Sequence, residues 1–302
     1  MPSFSDTDYK KYLLPKRLIF FDLDGTIIPS TSASGRRIAI AMSTYKQIQK
    51  FAWSSFNCDL LPDVIDKEQC SEWYRQHGGI QGLIKRLLRD SELAEDIKDC
   101  LGFYFTGLFY RRLTEYHEAD LQNDSVPDSH MELLQALSEQ ATTLLISYRY
   151  QTQFNFLNSL EKLGLTNGSL FGPSNAFAVG GPSSSSDGSK SRFVGGLLRH
   201  EIRAQRRLVS DIGKTFPPIV VGDSVRDIHF AVDIGGIFFG VSETGEDSRE
   251  TLLAEIKNLE DSLNTRSRVF PSLADEPLQR RLLEECEAYR EAIKTLKTET
   301  PL

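Results

Sequence analysis

The sequence predicts an α/β fold, a doubly wound parallel sheet interrupted early by a helical insertion, and three observations carry that expectation. Short apolar runs stop abruptly at polar residues: Leu18-Ile19-Phe20-Phe21 before Asp22, Thr143-Leu144-Leu145-Ile146 before Ser147, and Ile219-Val220-Val221 before Gly222-Asp223. Their apolarity is continuous rather than alternating, the pattern of strands covered on both faces. About a hundred residues separate the first run from the second, far more than one crossover helix requires.

Taken in order, a polar lead-in from Met1 to Tyr12 precedes the first strand, and the insertion follows from about Pro29 to Pro127. Its periodicity is helical over Arg37 to Phe56, Lys67 to Gln76, Ile80 to Arg89 and Glu92 to Glu118. The core then resumes with a helix over Ser129 to Gln140, the Thr143 strand, and a helix over Tyr150 to Leu163 that Gly164 stops. A strand over Ala176 to Val179 leads to a serine- and glycine-rich loop, Gly180 to Ser189, expected as a mobile loop at the rim of the sheet. Lys190 opens a helical run toward the Ile219 strand, and further strands are expected at Ile237 to Val241 and at Arg268-Val269-Phe270. The spacing of Leu282, Leu283, Cys286 and Tyr289 predicts a helix in Pro277 to Leu302 that packs on the core or on a partner. The expected division is a Rossmann-like core, residues 13–30 and 128–302, and a helical domain, residues 31–127.

At 302 residues the chain is large enough for one such domain with an insertion. With 40% hydrophobic and 25% charged residues it belongs to neither the disordered nor the fibrous class. A net charge of -7 supplies no general attraction to a nucleic-acid backbone or an anionic membrane surface, so neither partner is expected. An anionic small substrate would be drawn by local cations and a metal instead. No apolar stretch approaches the roughly 20 residues that span a bilayer. Cys58, Cys70, Cys100 and Cys286 show no metal-binding spacing, and no basic-plus-apolar leader precedes the first strand. Reduced thiols in a cytoplasmic protein are the expectation, and no feature specifies an oligomeric state.

In open α/β sheets ligands bind beyond the carboxyl ends of the strands, so the polar residues ending the three apolar runs converge at one rim. Asp22 and Asp24 are two apart where a strand ends, and Gly25 allows a sharp departure of the chain. Such a pair can bind Mg²⁺ through oxygen, divide nucleophilic and acid–base work, or cap a helix. Asp223 can be a metal ligand or a helix N-cap, and Asp227 follows one helical turn later. A carboxylate attacking a phosphate ester needs a divalent cation to offset the repulsion between anions. Ser147 can donate its hydroxyl to a phosphoryl oxygen or cap a helix. Lys190 can stabilise charge developing on a transferred group, with Lys214 the rival, nine residues before Asp223 and at the other end of its strand. Arg36, Arg37 and Arg149 are further cations near the rim, each a candidate substrate contact or a surface arginine.

In order, Asp22-Leu23-Asp24-Gly25-Thr26, Ser147, Lys190 and Gly222-Asp223-Ser224-Val225-Arg226-Asp227 resemble the four motifs of the haloacid dehalogenase-like hydrolase superfamily. Ala231-Val232-Asp233-Ile234-Gly235-Gly236 is similar to the helix and glycine turn that follow the fourth motif; Lys190 lacks the proline that often follows it in the third. The resemblance implies that Asp22 becomes a transient aspartyl-phosphate and that Asp24 protonates the leaving oxygen, then deprotonates the attacking water. It implies a Mg²⁺ held by Asp22, Asp223 and the backbone carbonyl of Asp24, with Asp227 in the metal shell or orienting Lys190. Thr26, closing the first motif, is carried with Arg149 and Arg36 as a candidate substrate contact.

The insertion is similar in place and helical content to the first type of cap in that superfamily. Arg75-Gln76-His77-Gly78-Gly79 resembles the substrate-facing loop of such caps, with His77 its candidate contact, although a Gly-Gly turn between helices explains the run almost as well. The activity implied is a Mg²⁺-dependent phosphatase acting on a small phosphorylated metabolite. A phosphomutase of a sugar phosphate would use the same two aspartates and return the phosphoryl group. A retired module that binds a phosphorylated ligand is disfavoured by four intact motifs, and a phosphonate hydrolase by the lack of a marked imine-forming lysine.

Overall fold

The computed structural model describes residues 16–29, 33–60, 65–76, 80–89, 93–119, 125–149, 153–166, 170–179, 190, 194, 216–242 and 246–299. The chain divides into two compact units, Met1–Ser30 with Leu121–Leu302, and Thr31–Asp120.

In the first unit, six strands form one parallel sheet: β1 (Arg17–Phe21), β2 (Ala141–Ser147), β3 (Ala176–Ala178), β4 (Ile219–Gly222), β5 (Ile237–Val241) and β6 (Arg268–Phe270). Their order is β3-β2-β1-β4-β5-β6, so the winding reverses between β1 and β4, where a doubly wound sheet opens a crevice at its carboxyl edge. Phe21 pairs with Leu145 of β2 on one side and Val221 of β4 on the other, which brings Asp22, Ser147 and Asp223 to one edge.

The continuous apolarity has a direct structural cause. Ile19, Phe21, Leu145, Val221 and Phe239 lie in one core cluster; their neighbours Leu18, Phe20, Leu144, Ile146, Val220 and Phe238 lie in a second. Successive side chains point to opposite faces of a strand, so in a sheet buried on both faces consecutive positions favour apolar residues.

Four insertion helices, α1 (Ala33–Phe56), α2 (Lys67–Gln76), α3 (Ile80–Arg89) and α4 (Glu95–Ala119), belong to the second unit. Ile38, Ala41, Tyr45, Ile48 and Ala52 make a buried stripe at three- and four-residue spacing along α1, and Leu101, Phe105, Phe109 and Leu113 make another along α4. The Tyr45 and Phe105 rings meet at 6.4 Å, and Arg112 reaches Ser43 and Gln47 of α1 at 2.8 and 2.6 Å.

Returning to the first unit, α5 (Asp128–Gln140), α6 (Gln153–Lys162) and α9 (Glu276–Glu299) feed the first core cluster, while α7 (Val225–Ile234) and α8 (Glu246–Asn258) feed the second. The C-terminal helix α9 packs on the core through Leu278, Leu282 and Cys286. It also covers the foot of β1: buried Arg17 lies 3.1 Å from Glu285, with its guanidinium over the rings of Phe216 and Tyr289. Burial lowers the Arg17 pKa to about 10 against the opposing pull of Glu285.

Helix ends differ from the periodicity by a few residues, as fraying termini do. The helix that spacing starts at Arg37 begins at Ala33, the one from Glu92 begins at Glu95, and the strand to Val179 ends at Ala178. Val126 packs against the first core cluster, on the sheet-bearing side of the division at Leu121. The serine-rich loop and Lys214 lie outside the described residues, as does the run after Lys190 except for buried Val194. Among the described residues no helix is long and apolar enough to cross a membrane.

Candidate active site

Asp22 is the first residue past β1, and its backbone N–H still bonds to Val221 of β4 at 2.9 Å, which holds it at the reversal point of the sheet. The chain then turns tightly: Ile27 and Ile28 donate to the Leu23 carbonyl at 3.0 and 2.9 Å, and Gly25 donates to Ile28 at 2.7 Å. His130 of α5 braces this loop, its Nδ1 lying 2.9 Å from the Ile27 carbonyl. Gly25 is required twice over. Its φ of 88° disfavours any other residue, and a Cβ there would collide with the Asp223 carboxylate.

A second glycine makes room in the same way. A Cβ on Gly222, the last residue of β4, would strike the carboxylate of Asp227. The N-cap of α7 is Ser224, so Asp223 is not spent on starting that helix. Asp227 accepts from the Ser224 backbone N–H at 3.2 Å and from its hydroxyl at 2.6 Å through Oδ2, which leaves Oδ1 turned toward Lys190.

Lys190 is the hub. Its buried ammonium lies 2.5 Å from Asp22 Oδ1 and 2.7 Å from Asp227 Oδ1. Tyr148 supports it from the end of β2: the phenol oxygen accepts the Lys190 backbone N–H at 3.1 Å, and the ring lies beneath Nζ at 5.0 Å and beside the Arg226 guanidinium at 5.2 Å. Ser147 is buried, and its Oγ accepts the Arg149 backbone N–H at 3.1 Å. The Arg149 side chain grips Asp24 by two prongs, Nε at 2.9 Å from Oδ2 and Nη2 at 2.7 Å from Oδ1.

The charges are unbalanced in one direction. Oxygens of Asp22, Asp223 and Asp227 all lie within 4.8 Å of one another. Burial pushes the Asp22 carboxyl up to about 7; Lys190 opposes the shift, and Asp227 and Asp24 add to it. Burial likewise raises Asp223 well above the usual carboxylate range, with Asp22 and Asp227 reinforcing. Burial alone would pull the Lys190 ammonium down, but Asp22 and Asp227 outweigh it and hold its pKa above that of an ordinary lysine. Among the described residues four carboxylates, Asp22, Asp24, Asp223 and Asp227, meet two cations, Lys190 and Arg149, so hard oxygen donors and negative charge coincide. That donor set fits a small divalent cation such as Mg²⁺.

Of the residues singled out in the sequence, the fold brings Asp22, Lys190, Asp223 and Asp227 into one cluster and pairs Asp24 with Arg149. Thr26 is buried in the turn, its hydroxyl without a hydrogen-bond partner among the described residues. Arg36 lies in α1, in the other unit, and His77 lies outside the described residues. Tyr148 escaped the sequence reading. Its signal was position: it follows Ser147 directly, at the end of the strand beside β1.

No model of a known protein family matches this chain, and no curated protein sequence matches it. Solved structures do. A HAD family hydrolase from Deinococcus radiodurans, with bound phosphate and sodium, is 18% identical at a TM-score of 0.46 over 90% of this chain and 96% of its own. A family IA, variant 3 HAD hydrolase from Entamoeba histolytica is 14% identical at 0.47 over 89% and 99%. A β-phosphoglucomutase from Clostridium difficile is 14% identical at 0.46 over 91% and 98%. In its ordered motifs and its sheet this chain is similar to the haloacid dehalogenase-like hydrolases.

Proposed function

We propose that this chain is a haloacid dehalogenase-like, Mg²⁺-dependent phosphatase that hydrolyses monoesters of small phosphorylated metabolites through an aspartyl-phosphate on Asp22. The observation that carries the reading is the Lys190 ammonium between Asp22 and Asp227, beside Asp223. A buried carboxylate at the carboxyl edge of the sheet, with a cation opposing the rise in pKa that burial imposes, is placed to act as a nucleophile.

In the first half-reaction an Asp22 oxygen attacks phosphorus, the bond from phosphorus to the ester oxygen breaks, and Asp24, in its acid form, gives that oxygen its proton. In the second, Asp24 as carboxylate takes a proton from water, the water oxygen bonds to phosphorus, and the acyl–phosphorus bond breaks to restore Asp22. Lys190, and the Ser147 hydroxyl, stabilise charge on the transferring oxygens. Asp22, Asp223 and the Asp24 carbonyl would hold Mg²⁺, which supplies charge neutralisation for the two anions that must meet. Asp227, with one oxygen on Lys190 and the other on Ser224, is better placed to orient the lysine than to bind the metal. We place the protein in the cytoplasm, in keeping with four free thiols, and divide it into a core of residues 13–30 and 128–302 and a helical cap of residues 31–127.

The test is a panel of phosphorylated metabolites assayed for inorganic phosphate with Mg²⁺ present. Release from at least one, lost in Asp22→Asn, supports the reading. Formation of an isomer without free phosphate would replace it with a phosphomutase.

A further inference from the structure

We propose that Arg149 is a positioning residue: its guanidinium orients the carboxylate of Asp24 for proton transfer instead of binding the substrate phosphoryl group. The inference rests on the acid–base role given to Asp24 above. Arg149 comes two residues after the end of β2, and Asp24 three after the end of β1, and the two strands are paired neighbours. The pair is a fork of three short contacts, Nε to Oδ1 and Oδ2 at 3.2 and 2.9 Å and Nη2 to Oδ1 at 2.7 Å, which fixes the plane of the carboxylate as well as its distance. Exposure separates the partners. The Arg149 side chain is 1% exposed and that of Asp24 is 17%, so Asp24 is the member of the pair that faces out of the fold.

The strand end explains why this arginine can be held so closely. Its backbone N–H is tied to the Ser147 hydroxyl at 3.1 Å, and the residue between them, Tyr148, is anchored to Lys190 at 3.1 Å. Consecutive residues of one strand end thus serve both reacting carboxylates, Tyr148 through the lysine that touches Asp22 and Arg149 through Asp24 itself. A lysine at 149 would keep the charge as a single point and lose the fork.

The experiment compares the full chain with Arg149→Gln, Arg149→Lys, Asp24→Asn and the Asp24→Asn/Arg149→Gln double variant. Each is assayed with Mg²⁺ on an alkyl phosphate and an activated aryl phosphate. Arg149→Gln should lower kcat on the alkyl ester by about tenfold to a hundredfold, the scale of a misplaced catalytic group. Its KM should stay within about threefold, since no ground-state contact is lost. The aryl ester, whose leaving group needs little help from a proton, should lose less, and Arg149→Lys should recover part of the loss. In the Asp24→Asn background, Arg149→Gln should cause no further drop. A raised KM with unchanged kcat, or a loss that multiplies with that of Asp24→Asn, would overturn the proposal by putting the guanidinium on the phosphoryl group. Urea unfolding of the same variants reads the pair without turnover. Coupled losses support the pairing even if the wild type released no phosphate, a result that would defeat the phosphatase reading alone. Strictly additive losses overturn the pairing.

Discussion

Lys190 lies 2.5 Å from Asp22 across 168 residues of sequence, and the same ammonium reaches Asp227 at 2.7 Å. The contact joins the end of β1 to the start of α7 through one cation. Truncating it removes charge from the transferring group and leaves two buried carboxylates facing each other. Lys190→Ala should therefore lower turnover by on the order of a hundredfold or more, by analogy with removal of an oxyanion-hole donor. Steady-state kinetics on any accepted substrate checks this, and a near wild-type rate would assign the cation elsewhere.

Gly222→Ala tests the same contact without touching a charged residue. The added methyl would meet the Asp227 carboxylate, so Asp227 must move and take Lys190 with it. The expected result is a destabilisation of about 1–3 kcal/mol, the range for overpacking a tight site. Activity should fall as well. Chemical denaturation and a rate measurement on the same protein check both; unchanged stability would contradict the packing described.

The carboxylate cluster makes stability depend on pH when no divalent cation is present. Burial raises Asp22 from 3.8 to about 7. Between those values the folded chain binds more protons than the unfolded chain, so this group's contribution to stability is greatest below about 4 and falls as pH rises toward 7. Asp223, shifted in the same direction, adds to the trend. A cation that binds the charged carboxylates offsets the loss. Mg²⁺ should raise the Tm more at pH 8 than at pH 5, and an equal effect at both would count against a metal among these aspartates.

Much of this was legible because strands buried on both faces favour unbroken apolar runs, so the polar residue that ends a run stands out. Asp22, Ser147 and Asp223 each stop such a run, so their shared edge followed from the chain. Lys190 was harder. A lone lysine after a serine-rich run reads equally as a solvated cation, and its place in the motif order, with Lys214 at the other end of its strand, is what separated the two. The two-pronged pair of Arg149 with Asp24 was not legible, because an arginine after a strand reads equally as a surface cation or a substrate contact. Its partner is set by β1–β2 register, Phe21 opposite Leu145, which sequence periodicity does not contain. Tyr148 was missed for the same reason.

Asp22→Asn should abolish turnover while leaving the fold intact, since the amide keeps the shape and loses the nucleophile. Its circular dichroism should match that of the wild type. Retention of even a tenth of the wild-type rate would contradict covalent catalysis.

Covalent catalysis places a phosphoryl group on Asp22, and trapping it there is the most direct measurement. The wild-type chain, mixed with an activated aryl phosphate and Mg²⁺ and quenched in acid within a turnover, is reduced with borohydride, which converts an acyl phosphate to an alcohol. Peptide mass spectrometry should find homoserine in place of aspartate at position 22, and none in Asp22→Asn or in chelator. Phosphate release with no modification at Asp22, or with the label on another residue, would contradict the account.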